Sequence, residues 1–107
     1  MAKKNKKKAF MKLAELYNED TLEMWQRMVN ALGIDGYYGS KTQCKKAIKT
    51  VFVNIRDFLE AVVRNEPVPQ HGNYRALMTY TRENRRFFAR RDVKSGGPLS
   101  ALLRVLM

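Results

Sequence analysis

From Cys44 to Val62 the apolar residues return at steps of three and four: Cys44, Ala47, Ile48, Val51, Phe52, Ile55, Phe58, Leu59 and Val62. At about 100° per residue they fill one arc of roughly 140°, the pattern of a helix with a wide buried face. Ser40 followed three residues later by Gln43 is a capping-box spacing, in which side chains satisfy orphan amides of the first helical turn. Asn65, Pro67 and Pro69 stop the pattern, because proline has no N–H for the helical ladder. The spacing predicts one long core helix between these signals. The run from Thr50 to Ile55 is the best strand candidate in the chain, but the longer helical period absorbs it.

The other apolar positions follow the same period. Phe10, Leu13, Ala14 and Tyr17 predict a short first helix, interrupted at Asn18-Glu19-Asp20. Asp20 and Glu23 repeat the capping-box spacing and open a second helix that buries Leu22, Trp25, Met28, Val29 and Leu32. Gly33 suits the left-handed position beyond its end. After the turn-rich stretch from Pro67 to Asn73, Asn73 caps a fourth helix with Tyr74, Leu77, Met78, Thr81 and Phe88 inward. Gly96-Gly97 breaks the chain, and Pro98 starts a last short helix carrying Leu99, Leu102, Leu103 and Leu106. No alternating pattern demands a sheet, and no repeat is present. The expectation is an all-α single domain of four to five helices over residues 9–107, preceded by a disordered lysine-rich arm over residues 1–8.

Charge changes the picture more than composition does. Twenty-one Lys and Arg against ten Asp and Glu leave +11 on 107 residues, an imbalance that opposes compaction and points to an acidic partner. Residues 1–12 carry +6, all lysine, and residues 13–35 carry −4. Residues 36–66 carry +3, and residues 67–107 carry +6, almost entirely arginine. Nucleic acid, DNA or RNA, is the leading partner for such a distribution, and an acidic protein is the alternative. No apolar run approaches the ~20 residues of a membrane span, so no membrane partner is expected. The basic start meets acidic residues before any secretory apolar core forms.

The candidate contacts lie on helix edges. On one continuous helix Lys45, Lys49 and Arg56 fall at i, i+4 and i+11, within about 40° of one another. Arg75, Arg82 and Arg86 repeat the arrangement on the fourth helix. Arg85, Arg86, Arg90 and Arg91 flank Phe87 and Phe88; guanidinium forks suit phosphates, and the phenylalanines are expected in the core. Lys3, Lys4, Lys6, Lys7 and Lys8 form a basic arm, read as an import signal or a phosphate contact. Gly39, Ser40 and Lys41 make a possible phosphate loop, a glycine running into a capped helix start. A serine follows Gly39 where a nucleotide-binding P-loop needs lysine, and no strand precedes it. A helix-turn-helix is excluded by the seven-residue connection between the second and third helices.

Catalytic and metal chemistry find little support. Cys44 is the only cysteine and falls on the buried arc, while His71 is the only histidine. One histidine must serve every nucleophilic or metal proposal, so no cofactor, metal or small-molecule substrate is expected. The sequence thus reads as a non-catalytic nucleic-acid-binding protein that grips the phosphate backbone, nuclear if eukaryotic and otherwise cytoplasmic. Its rival is an interaction adaptor docking an acidic partner, with Leu99, Leu102, Leu103, Leu106 and Met107 as hydrophobic anchor.

Overall fold

A computed structural model of the chain describes residues 2–103, and the side chains of residues 8–103. The helices are α1 (Ala2–Tyr17), α2 (Leu22–Ala31), α3 (Lys41–Ile48), α4 (Ile55–Arg64), α5 (Tyr74–Glu83) and α6 (Pro98–Leu102), with a 3₁₀ turn at Arg90–Asp92. The described residues contain no strand, only an isolated antiparallel bridge between Phe52 and His71. The protein is all-helical, as the periodicity implies. No helix among the described residues is long and apolar enough to cross a membrane.

Packing follows the apolar faces. α1 lies on α4, where Tyr17 meets Phe58 edge to face at 5.1 Å. α2 lies on α3, and short α6 touches α1, α2 and α3. Its Leu99, Ala101 and Leu102 are buried in the common core with Met28, Ile48 and Leu59. Leu99 and Leu102 of the last leucine-rich segment therefore complete this protein's own core. Leu106 and Met107 lie outside the described residues. Of the lysine arm, residues 1–8, only Lys8 has a described side chain; the side chains of the others lie outside those described.

The long third helix is not continuous. α3 ends at Ile48 and α4 begins at Ile55. Thr50 turns back to donate its hydroxyl to the Ala47 carbonyl at 2.6 Å. Phe52 then accepts from the His71 amide at 2.9 Å. Asn54 begins the second segment by accepting from the Asp57 amide at 3.0 Å. The β-branched residues Thr50, Val51 and Val53 fit a helix poorly and extended backbone well. An asparagine after them supplies an N-cap. The three-and-four spacing survives because both short helices face one core.

Two more boundaries differ from expectation. Thr21 rather than Asp20 caps α2, accepting from the Met24 amide at 3.2 Å. Asp20 instead accepts from the Trp25 indole N–H at 2.8 Å. α5 stops at Glu83, so Phe88 is not on its inner face and Arg86 is not on its basic edge. The caps at Ser40 and Asn73, the glycine stop at Gly33 and the proline start at Pro98 are as expected.

Buried Asn18 ties the end of α1 to the segment before α6. Its amide donates to the Asp92 carbonyl at 2.7 Å, and its side-chain oxygen accepts from the Lys94 amide at 2.8 Å. Gly97 lies against the same residue, so close that a Cβ there would sit 2.5 Å from the Asn18 carbonyl oxygen. Gly97→Ala should therefore destabilise the protein by about 1–3 kcal/mol in denaturant unfolding, the usual cost of overpacking. Gly72 has open space around it, and Gly72→Ala should stay within about 0.5 kcal/mol of the parent. Equal effects at the two positions would refute the close approach.

Candidate nucleic-acid interface

The segment after α5 is shaped by one arginine. Arg85 adopts a left-handed backbone with φ of 51°, which turns the chain back toward α4. The Arg86 amide bonds the Thr81 carbonyl at 3.0 Å, and its own carbonyl accepts from the Asn54 side-chain amide at 2.8 Å. Its guanidinium reaches Asp57 Oδ1 from Nε at 2.9 Å and from Nη2 at 2.7 Å, and Nη2 also bonds Glu60. Burial opposes the arginine's charge, but the hydrogen bonds and charges of Asp57 and Glu60 outweigh it and raise its pKa. Hydrogen bonding to Asp57, with burial, likewise pushes the Tyr80 phenol upward. Arg86 is thus engaged inside the protein rather than on the surface expected for a phosphate contact.

Anchoring Arg86 orients its neighbours. Phe88 turns inward against Phe10, with ring centroids 6.1 Å apart. Phe87 turns outward and remains 54% exposed. It borders a groove of about 540 Å³ whose walls are Phe10 and Met11 of α1 and Arg56, Glu60, Val63 and Arg64 of α4. Met11 and Val63 are also exposed there. Arg56 has no acidic partner among the described residues, while exposed Arg64 reaches Glu60 only at 4.0 Å, a contact of little strength. A second hollow of about 300 Å³ lies between Phe87, Phe88, α5 and the start of α4, with Arg90 in its lining.

The remaining candidates do not gather at one place. Lys45 is exposed on α3 and Lys49 caps its end; the helix break removes the single edge that joined them to Arg56. Arg75 and Arg82 are exposed on α5 but line neither hollow. Arg85 and Arg91 are exposed beside the Phe87 segment. Lys8 is exposed two residues before Phe10, whereas the side chains of Lys3, Lys4, Lys6 and Lys7 lie outside those described.

In the possible phosphate loop, the Gly39 amide and the Lys41 ammonium have internal partners. The Gly39 amide bonds Gln43 Oε1 at 2.9 Å, and Ser40 accepts from the Gln43 amide at 3.2 Å. Lys41 Nζ donates to the Asp20 carbonyl at 2.9 Å and lies 3.3 Å from its carboxylate. Burial pushes the Cys44 thiol upward, away from reactivity. No group of three metal-ligating side chains occurs among the described residues.

Met11, Val63, Arg64 and Phe87 of the groove escaped the sequence pattern. Arg64 repeats the Arg56–Glu60 spacing of four, a stripe visible in the sequence once α4 is treated as its own helix. Phe87 carried no such signal, because its exposure depends on Arg86. No known family, curated protein or solved structure matches the chain.

Two predictions follow from these ion pairs. Arg86→Met leaves Asp57 and Glu60 without their cation and should cost about 3 kcal/mol in denaturant unfolding. Arg85→Gln, at an exposed site, should cost no more than about 0.5 kcal/mol; equal losses would mean Arg86 is not the anchor. At Asp20, the Trp25 hydrogen bond and then Lys41 hold the carboxyl below its usual range. A depressed folded value contributes stability that is present above the unfolded pKa and lost as pH falls through the folded one. Trp25→Phe should move the Asp20 carboxyl resonance midpoint upward in an NMR titration, and an unmoved midpoint would contradict the bond.

Proposed function

We propose that this protein binds nucleic acid without catalysing a reaction, using arginines around the Phe87 segment to hold phosphates. The observation that carries the reading is the contrast among those arginines. Arg86 has two carboxylate partners, whereas Arg56, Arg85, Arg90 and Arg91 have none among the described residues. Unpaired guanidinium groups on ordered backbone are suited to forked contact with phosphate, and they lose less freedom on binding than a flexible lysine does. Such contacts hold register without reading bases. A compartment containing nucleic acid, the nucleus of a eukaryote or the cytoplasm of a microbe, fits this role.

The adaptor reading is the weaker of the two: Leu99 and Leu102 of its anchor are buried in the protein's own core, while Leu106 and Met107 lie outside the described residues. The arginine assignment is tested by salt. Replacing Arg85, Arg90 and Arg91 by glutamine should flatten the slope of log affinity against log salt by about 2 on a single strand and about 2.7 on duplex DNA. Lys45→Gln with Lys49→Gln should change the slope less. A slope unaltered by the arginine replacements, measured by fluorescence anisotropy, would remove the phosphate contacts from this segment.

A further inference from the structure

The groove between α1 and α4 contains more than phosphate binding requires. A contact made only to the backbone needs cations on a surface. Here three apolar side chains, Met11, Val63 and Phe87, stand exposed around one hollow, with Arg56 and Arg64 on its α4 wall.

The exposure of Phe87 does not come from a slack loop. The residue before it is held by Asp57, Glu60 and Asn54, and the residue after it packs on Phe10. The backbone on both sides is therefore fixed, and the ring between them is presented to solvent in advance. A large aromatic is ordinarily buried, so such a placement leaves an apolar face in need of a partner.

We infer that this groove takes an unpaired nucleobase stacked on Phe87, which makes the ligand a single strand rather than a duplex. The inference rests on the nucleic-acid reading above and narrows it. A base has a flat π-face that stacks on an aromatic ring whatever its sequence, and methionine adds a soft, adaptable wall. The hollow falls within the ~300–1,000 Å³ of small-molecule sites, large enough for a base. Charge agrees with the assignment. Glu60 is the one acidic residue of the lining, and it is occupied by Arg86, while Arg56 and Arg64 stand about 12 Å apart along α4 on either side of it. Phosphates flanking an inserted base meet these cations. In a duplex every base face is already stacked, so Phe87 would gain nothing from it. An acidic amphipathic helix fits less well, because it needs a continuous groove for anchors at i, i+3, i+4 and i+7. Here the exposed apolar side chains are three, Met11, Val63 and Phe87, around one hollow.

The test compares a single-stranded 12-mer carrying one 2-aminopurine with the duplex of the same sequence, using the full chain. The parent should bind the single strand more tightly and quench the 2-aminopurine on binding. Phe87→Ala should weaken single-strand binding by between about fivefold and 150-fold, the range for losing one stacked base. Its salt slope should not change, because the phosphate contacts remain, and duplex binding should shift by less than twofold. Phe87→Trp should retain both affinity and quenching. Loss of single-strand and duplex affinity in equal measure, or no loss at all, would overturn the stacked base while leaving the phosphate reading standing. Absence of salt-dependent binding to either form by the parent would defeat the nucleic-acid reading and this inference with it. Binding of an acidic amphipathic peptide, lost in Phe87→Ala and not competed by the single strand, would assign the groove to a protein partner instead.

Discussion

The Arg86 guanidinium sits where three parts of the chain must agree: the end of α5, the first two turns of α4 and the segment leading to α6. Asp57 and Glu60 of α4 accept from it, and Asn54, the residue before that helix, donates its side-chain amide to the Arg86 carbonyl. An ion pair at this level of burial contributes modestly to net stability, since desolvation offsets much of the attraction. Its stronger effect is on geometry. A planar fork bonded to two carboxylates admits few orientations, so the backbone around it is fixed as well. Phe88 is then directed inward and Phe87 outward.

Asn54 connects this arrangement to the break in the helical pattern. Its side-chain oxygen caps α4, while its amide nitrogen bonds both the Arg86 carbonyl at 2.8 Å and Thr81 Oγ1 at 3.2 Å. One buried side chain thus begins a helix and holds the segment that borders the groove. Had the helix run unbroken from Ser40, Asn54 would have no free amide of the first turn to satisfy, and the Arg86 carbonyl would lose its partner. The break therefore belongs to the construction of the site. It also makes α4 a helix separate from α3, so Lys45 and Lys49 no longer share a helix edge with Arg56, and Arg56, Glu60 and Arg64 are a stripe of their own.

The positive charge is organised by the same logic. Among the described residues three carboxylates are paired with cations: Asp20 with Lys41, and Asp57 and Glu60 with Arg86. Twenty-one cations stand against ten acids, and among the described residues most arginines have no acidic partner. Those of the second half remain exposed on helical or anchored backbone, a disposition that suits recognition of a polyanion better than it suits folding.

The helical content, the caps at Ser40 and Asn73, the proline start at Pro98, the stop at Gly33 and the apolar face were all legible in the sequence. Each depends on contacts within one or two turns, and local periodicity carries that information. The net charge was equally plain, because it is a property of composition. Only the tertiary structure decided which arginine is internal, since Asp57 lies 29 residues from Arg86 and nothing near Arg86 distinguishes it from Arg85. The exposed phenylalanine was hidden for the same reason: Phe87 and Phe88 are identical neighbours, and the direction each faces follows from a bond made to a distant helix. The break at Asn54 lay between these cases. Its asparagine and β-branched run were visible, but the apolar spacing of two short helices facing one core is the same as that of one long helix, and only packing tells them apart.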